Sequence, residues 1–222
     1  MTDKPVVIFG TGAFAQVAAV YLDRDSPRDV VAYTVDRAYA DSDAFADRPL
    51  IPFEDLAQTY PPERADLLVA TGFRGVNRVR REIFERCRDE GYDFVRYVSS
   101  HAMVMNDGPV GANTFVFEAN VIQPYVEIGA NVVIWSGNHI GHHSTIEDHC
   151  FIASHAVISG NVTVGESCFV GVNATVRDGV TLGPRCVVGA GALVLSDLAE
   201  GTVLAATATP PHRRKSWELR NF

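Results

Sequence analysis

The sequence predicts two unlike halves, an α/β Rossmann-like N-terminal domain and then a parallel β-helix, and three observations carry that prediction. Sixteen aliphatic residues recur at every sixth position from Val104 to Val194 without an insertion. The period is absent before residue 98, where short β-rich runs alternate with helical stretches. The first strand-like run passes into a helix through a glycine pair, Gly10 and Gly12. An amphipathic helix repeats every 3.6 residues and a strand every 2, so neither selects each sixth residue alone. A three-sided coil does, with one hexad per side. The expected divisions are residues 1–98, 99–200 and a tail, 201–222.

Along the chain, Val6 to Phe9 reads as a strand, Ala13 to Asp23 as a helix and Val30 to Val35 as a second strand. Leu67 to Ala70 reads as a third strand, Val76 to Asp89 as a helix, and Phe94 to Val98 as a short strand delivering the chain to the repeat. That alternation suits a small α/β sheet. The turn Gly10-Thr11-Gly12-Ala13-Phe14-Ala15 has a GxGxxA pattern where a strand meets a helix, a place where bare backbone lets a phosphate approach. Asp36 ends the second strand where a ribose-binding carboxylate would stand, which raises a nicotinamide or flavin enzyme. Length counts against it, because about 95 residues make one mononucleotide half and not two. A nucleotide bearing a diphosphate fits better, with Thr71 and Gly72 after the third strand, at the end of the sheet that collects ligands. The plainer alternative is that the glycines serve only a tight turn and close packing.

Within the repeat each anchor points inward, and so does the residue four places on, which is mostly small, as at Thr114, Asn120, Val132, Ser144, Ala156 and Ala174. Glycine follows the anchor at Gly111, Gly129, Gly141, Gly165, Gly171, Gly183 and Gly189, as expected if the corner needs positive φ. Cys150, Cys168 and Cys186 fall in one internal column as small core residues, and a disulfide or metal framework is the lesser alternative.

Composition narrows the function. The chain has 222 residues, 47% of them hydrophobic and 21% charged, which is enough for a core in each half. A net charge of −8 opposes general binding of nucleic acid, despite basic clusters at Arg74, Arg78, Arg80, Arg81 and at Arg213, Arg214, Lys215. The first residues lack an apolar signal region and no run is long enough to span a bilayer, so a cytoplasmic protein without a membrane partner is expected.

Titratable groups concentrate between residues 139 and 155, which hold His139, His142, His143, His149 and His155. An imidazole titrating near neutrality can take a proton from an amine or hydroxyl. His142 lies two after anchor Ile140, outside the core, and one coil later the same column holds Gly160. Glycine leaves space above the imidazole and a backbone N–H beside it, a base and an oxyanion donor for acyl transfer. At least three of the five histidines are expected to be structural. His143, His149 and His155, six apart, lie on successive sides of the coil and cannot chelate one ion within a chain, although a site between chains could.

These residues carry a resemblance to the bacterial sugar acyltransferases, which include sialic acid O-acetyltransferases and the N-acetyltransferases of bacillosamine and perosamine biosynthesis. The segment VVIFGTGAFA, Asp36, LLVATGF, the unbroken hexads and IGHHSTI occur in that family's order over essentially the whole chain. The resemblance implies a left-handed β-helix, a homotrimer with active sites between subunits, acetyl-CoA as donor, no metal, and a nucleotide-linked amino sugar of surface-polysaccharide biosynthesis as acceptor. It implies His142 as the base and Gly160 as the amide facing the acetyl carbonyl. The family follows its histidine with Asp or Glu; here His143 stands there, and Glu147, Asp148 or an acid from another subunit are the candidates to orient His142. A second family histidine is Phe151 in this chain. Val172 and Ala190, with Gly160, match positions that line the coenzyme, while Gly10, Gly12, Asp36 and Thr71 match the nucleotide-sugar side. Direct transfer in a ternary complex follows, with Cys150, Cys168 and Cys186 too internal for a relay. The competing readings are a non-catalytic nucleotide-binding scaffold and a zinc hydratase on the same helix. The tail's basic run either meets coenzyme phosphates or is solvated.

Overall fold

The computed structural model describes residues 4–106 and 108–218. The N-terminal half is a five-stranded sheet in the order β3-β4-β2-β1-β5. Its strands are β1 (Val6–Phe9), β2 (Val30–Val35), β3 (Ala44–Phe45), β4 (Arg48–Pro52) and β5 (Asp66–Val69). All neighbours are parallel except the β3-β4 hairpin. Helices α1 (Ala13–Asp25), α2 (Phe53–Thr59) and α3 (Arg78–Asp89) pack around it. β1 is buried throughout, as a central parallel strand must be, and its residues alternate between two apolar clusters.

The sequence reading locates β1, β2, α1, β5 and α3 to within two residues. It misses β3, β4 and α2. The predicted start of α3 at Val76 is two residues early, because Gly75, Val76 and Asn77 are all left-handed, with φ of 63°, 54° and 64°. Phe94 makes only an isolated bridge to Leu67, while Tyr97–Val98 joins the repeat.

The repeat folds into a three-sided prism of parallel two-residue strands, each paired with the strand eighteen residues on, as Ile140 with Ile158. One face, which we call the covered face, has seven strands and runs from Tyr97–Val98 to Val203–Leu204. The stack thus extends slightly past both ends of the 99–200 segment. A second face has six strands and the third has four. The anchors and the residues four places on form one continuous core down the axis. Only the first anchors, Val104 and Val110, escape full burial, at the open end of the prism.

Outward residues differ by face. On the covered face they are Phe115, Val133, Phe151 and Phe169, which with Phe117 and Trp135 pack under α1 and the sheet through Phe14 and Tyr21. On the four-stranded face they include Glu127, Thr145, Thr163 and Thr181, so it is the polar face. On the six-stranded face they are Met103, Val121, His139, Val157, Thr175 and Leu193, so it is the apolar face.

The glycines after the anchors have a different cause from the expected one. None of Gly111, Gly129, Gly141, Gly165, Gly171, Gly183 and Gly189 has positive φ. A Cβ on Gly111 would stand 2.3 Å from the backbone of Gly129, and one on Gly141 2.5 Å from Gly160 N, so what these glycines allow is close stacking of coils. The left-handed residues lie three after each anchor, among them Asn113, Asn131, His143, His149, His155, Asn161 and Asn173. Asn and His are among the residue types that tolerate this conformation.

Candidate active site

His142, Gly160 and Asp178 occupy one column on successive coils, along the edge where the apolar face turns into the polar face. His142 is exposed, and its backbone N–H is held by Gln123 Oε1 at 2.9 Å, one coil below. Its ring lies against the bare Cα of Gly160: a Cβ there would meet His142 Cε1 at 2.7 Å, Nε2 at 2.8 Å and Asp178 Oδ2 at 2.9 Å. Among the described residues the Gly160 N–H meets no acceptor. The His142 ring and the Asp178 carboxylate thus converge on the point left bare by Gly160, whose own amide is buried against Gly141. Asp178 escaped the sequence reading, although stepping the His142 column one coil beyond Gly160 finds it. The other neighbour of the ring is His143, whose Nδ1 is 3.1 Å from His142 Nδ1.

The rest of the histidine cluster disperses. His143, His149 and His155 are left-handed corner residues at three different edges, with φ of 58°, 64° and 60°. His149 is buried, with Nδ1 2.9 Å from Asn131 Nδ2, and burial holds its pKa below the ordinary imidazole range. Among the described residues no three His, Cys, Asp or Glu side chains are grouped to hold a metal ion. Glu147 and Asp148, considered as partners for His142, lie at the far edge of the polar face. There Glu147 accepts the Glu166 N–H and Asp148 the Ala130 N–H, because those corner amides need acceptors of their own.

A second concavity, of about 530 Å³, opens at the C-terminal end of the sheet between β1, β2, β5 and α3. Gly10, Asp36 and Thr71 line it, with Tyr39, Arg74 and Arg86. Gly10 has φ 131° and its absent Cβ would stand 2.9 Å from Ala70 O, so only glycine fits between the two strand ends. The Thr71 hydroxyl is buried without a partner among the described residues. Asp36 is not free: Arg86 donates to it while lying over the Phe9 and Phe53 rings at 5.4 and 4.8 Å. Gly12 is the residue before α1, exposed, with open space where its Cβ would be. It stands outside the lining of this concavity.

Val172 and Ala190 share a different edge from Gly160, the one between the covered and apolar faces. The whole apolar face separates them from His142, so within one chain the three expected coenzyme positions do not form one surface. The cysteines are internal, as expected. Cys150, Cys168 and Cys186 each donate to a carbonyl, on Gly165, Gly183 and Ala199, and burial pushes the Cys168 thiol up to about 12.

Two hexapeptide-repeat families match the prism: bacterial transferase hexapeptide repeats over residues 125–160, and the hexapeptide repeat of succinyl-transferase over residues 161–196. No curated protein matches the chain in sequence. Among solved structures, perosamine N-acetyltransferase PerB from Caulobacter crescentus, in complex with CoA and GDP-perosamine, is 28% identical with a TM-score of 0.80, over 90% of this chain and 92% of that one. Structures of that enzyme also exist with one histidine replaced by Asn or Ala. The acetyltransferase domain of PglB from Neisseria gonorrhoeae FA1090, in complex with acetyl coenzyme A, is 24% identical with a TM-score of 0.82, over 92% and 97%. WeeI from Acinetobacter baumannii AYE is 15% identical with a TM-score of 0.79, over 91% and 97%. These likenesses fit a left-handed β-helix behind an N-terminal α/β domain.

Proposed function

We infer that this chain, similar throughout to the bacterial sugar acyltransferases, is an acetyl-CoA-dependent enzyme that acetylates the amine or hydroxyl of a nucleotide-linked sugar. The observation that carries the reading is the His142 ring beneath the bare Gly160, beside an amide with no acceptor of its own. His142, Gly160 and His143 are the proposed catalytic set. As the acceptor nitrogen or oxygen attacks the thioester carbon, His142 Nε2 takes its proton and the Gly160 N–H donates to the forming oxyanion. The C–S bond then breaks, and the leaving thiolate recovers the proton from His142. No acyl-enzyme is needed, which agrees with thiols that are buried and bonded.

The sheet concavity is the proposed seat of the nucleotide, in a Rossmann-like domain: the Thr71 hydroxyl, without a partner among the described residues, and the Arg74 guanidinium suit a diphosphate. Gly12 serves there only at the rim, and Asp36 acts together with Arg86. An amine is favoured as the nucleophile because PerB is an N-acetyltransferase.

In a three-sided prism the edge bearing His142 is opposite the covered face, on which the N-terminal domain sits. A sugar held by that domain would lie across the prism from His142 of its own chain, which supports an arrangement in which the acceptor and the base come from different copies. The apolar face, with Val157, Leu193 and Leu195 exposed, is the surface such copies would bury. A homotrimer satisfies this, and it also brings the Val172 and Ala190 edge of one copy toward the Gly160 edge of the next for one coenzyme to span. Among the described residues no helix is long and apolar enough to cross a membrane.

The test is incubation with acetyl-CoA and UDP-, GDP- and dTDP-linked amino sugars while following free thiol. Release that depends on one sugar is the expected result, and His142→Ala should lower turnover about a hundredfold with the fold intact. Near-normal turnover in that variant removes His142 from the role, and bound zinc in place of CoA binding would favour a hydratase.

A further inference from the structure

A histidine base works only if its two ring nitrogens are sorted, the lone pair facing the substrate and the proton on the far side. Among the described residues no carboxylate bonds His142 Nδ1: Glu147 and Asp148 are engaged at another edge, and Asp178 lies on the Nε2 side, across Gly160. What faces His142 Nδ1 is the Nδ1 of His143, 3.1 Å away, with the rings nearly perpendicular at 85°. Two like nitrogens at that distance bond only when one carries a hydrogen and the other does not. His143 is fixed in turn. Its backbone is the left-handed corner, φ 58°, and its ring lies 4.7 Å from that of Tyr125.

We propose that His143 is the positioning residue of the base: its bare Nδ1 accepts the His142 Nδ1–H and thereby keeps the His142 lone pair on Nε2, beside Gly160. The proposal rests on the reading of His142 as the base. When Nε2 takes the acceptor's proton, the imidazolium leans on a neutral ring where a carboxylate would have supplied a full negative charge. The other groups facing the pair are Tyr125, Gln123 and, across Gly160, Asp178. All three stay constant through the variants below.

Three substitutions separate sorting from mere packing. His143→Gly removes the ring without straining a left-handed corner, His143→Asn restores an acceptor in a residue that tolerates the corner, and His143→Glu supplies an anion. Each is assayed from about pH 5 to 9 with acetyl-CoA and whichever UDP-, GDP- or dTDP-linked amino sugar releases thiol, and the ring nitrogens of the ¹⁵N-histidine protein are titrated by NMR. Turnover should fall about tenfold or more in the Gly variant with KM little changed, and return most of the way in the Asn variant. The acid limb should move to lower pH with Gly and to higher pH with Glu, because an anion holds the imidazolium proton more tightly. In the unaltered protein the ¹⁵N shifts should show His142 carrying its hydrogen on Nδ1 and His143 bare at Nδ1. Equal turnover and unshifted limbs in all three variants, or a His142 ring that carries its hydrogen on Nε2, overturn the proposal. If no sugar releases thiol the functional reading fails, and the NMR titration alone then decides the pair.

Discussion

At the scale of single residues the site depends on atoms that are missing as much as on those present. A methyl group on Gly160 would occupy the point on which His142 and Asp178 converge. Gly160→Ala should therefore leave the melting temperature nearly unchanged, since only side-chain ends must move, and lower turnover about a hundredfold by pushing the His142 ring off its position while the backbone N–H remains. Full activity in that variant would mean the carbonyl binds elsewhere. His149 gives a prediction about stability. Burial lowers its pKa in the folded chain, so the unfolded chain binds the extra proton more readily, and stability present above the ordinary imidazole range is lost as pH falls through it. Urea unfolding at about pH 7.5 and 5 should show the protein losing more stability than His149→Asn, which keeps the left-handed corner. Equal losses would show that His149 is protonated in the folded state. The sequence disclosed His142 and Gly160 because both obey the repeat's arithmetic. It did not disclose that His143, His149 and His155 all occupy left-handed corners, two of them with no further role in the site, since a column of Asn, Gly and His is ambiguous until φ is known.

At the scale of elements, the joint between the halves is made by polar groups inside an apolar interface. Arg80 of α3 is fully buried and faces no carboxylate; it donates to the carbonyls of Asn131, His149 and Cys150 at 3.3, 2.7 and 3.0 Å, and to Asn77 Oδ1 at 3.0 Å. Burial lowers it to about 10, which leaves it charged at neutral pH. Asn77 caps the same joint through the carbonyls of Ser167 and Cys168, both at 3.0 Å. Asn113 ties the end of β5 to the prism by taking the Val69 N–H at 2.7 Å. Arg80→Met leaves several carbonyls unpaired and should cost about 3–5 kcal/mol, or roughly 10 °C in melting temperature, measured by calorimetry. A shift under about 2 °C would mean water replaces the guanidinium. None of this was legible, because Arg80 reads as part of a surface basic cluster until the left-handed turn at Gly75 to Asn77 swings it inward. The hexads were legible because each of their columns does one job, whereas the β3-β4 hairpin and α2 carry no period long enough to detect.

At the scale of the whole molecule, burial divides the prism's three faces by partner. Aromatic residues on one receive the chain's own N-terminal domain, threonines and acids on another meet solvent, and the third is left apolar. If the proposed trimer buries that face, Leu193→Glu should give monomers by sedimentation and abolish the proposed transfer while circular dichroism stays unchanged. An oligomer that survives the change would assign contact to another face. The separation of the proposed nucleotide concavity from His142 across the prism has a consequence for mixed assemblies. A chain lacking the imidazole and a chain with a blocked concavity, each inactive alone, should rescue one another when co-expressed. About a quarter of the junctions in an evenly mixed ring pair an intact concavity with an intact imidazole, so the mixture should recover roughly a quarter of the unaltered activity.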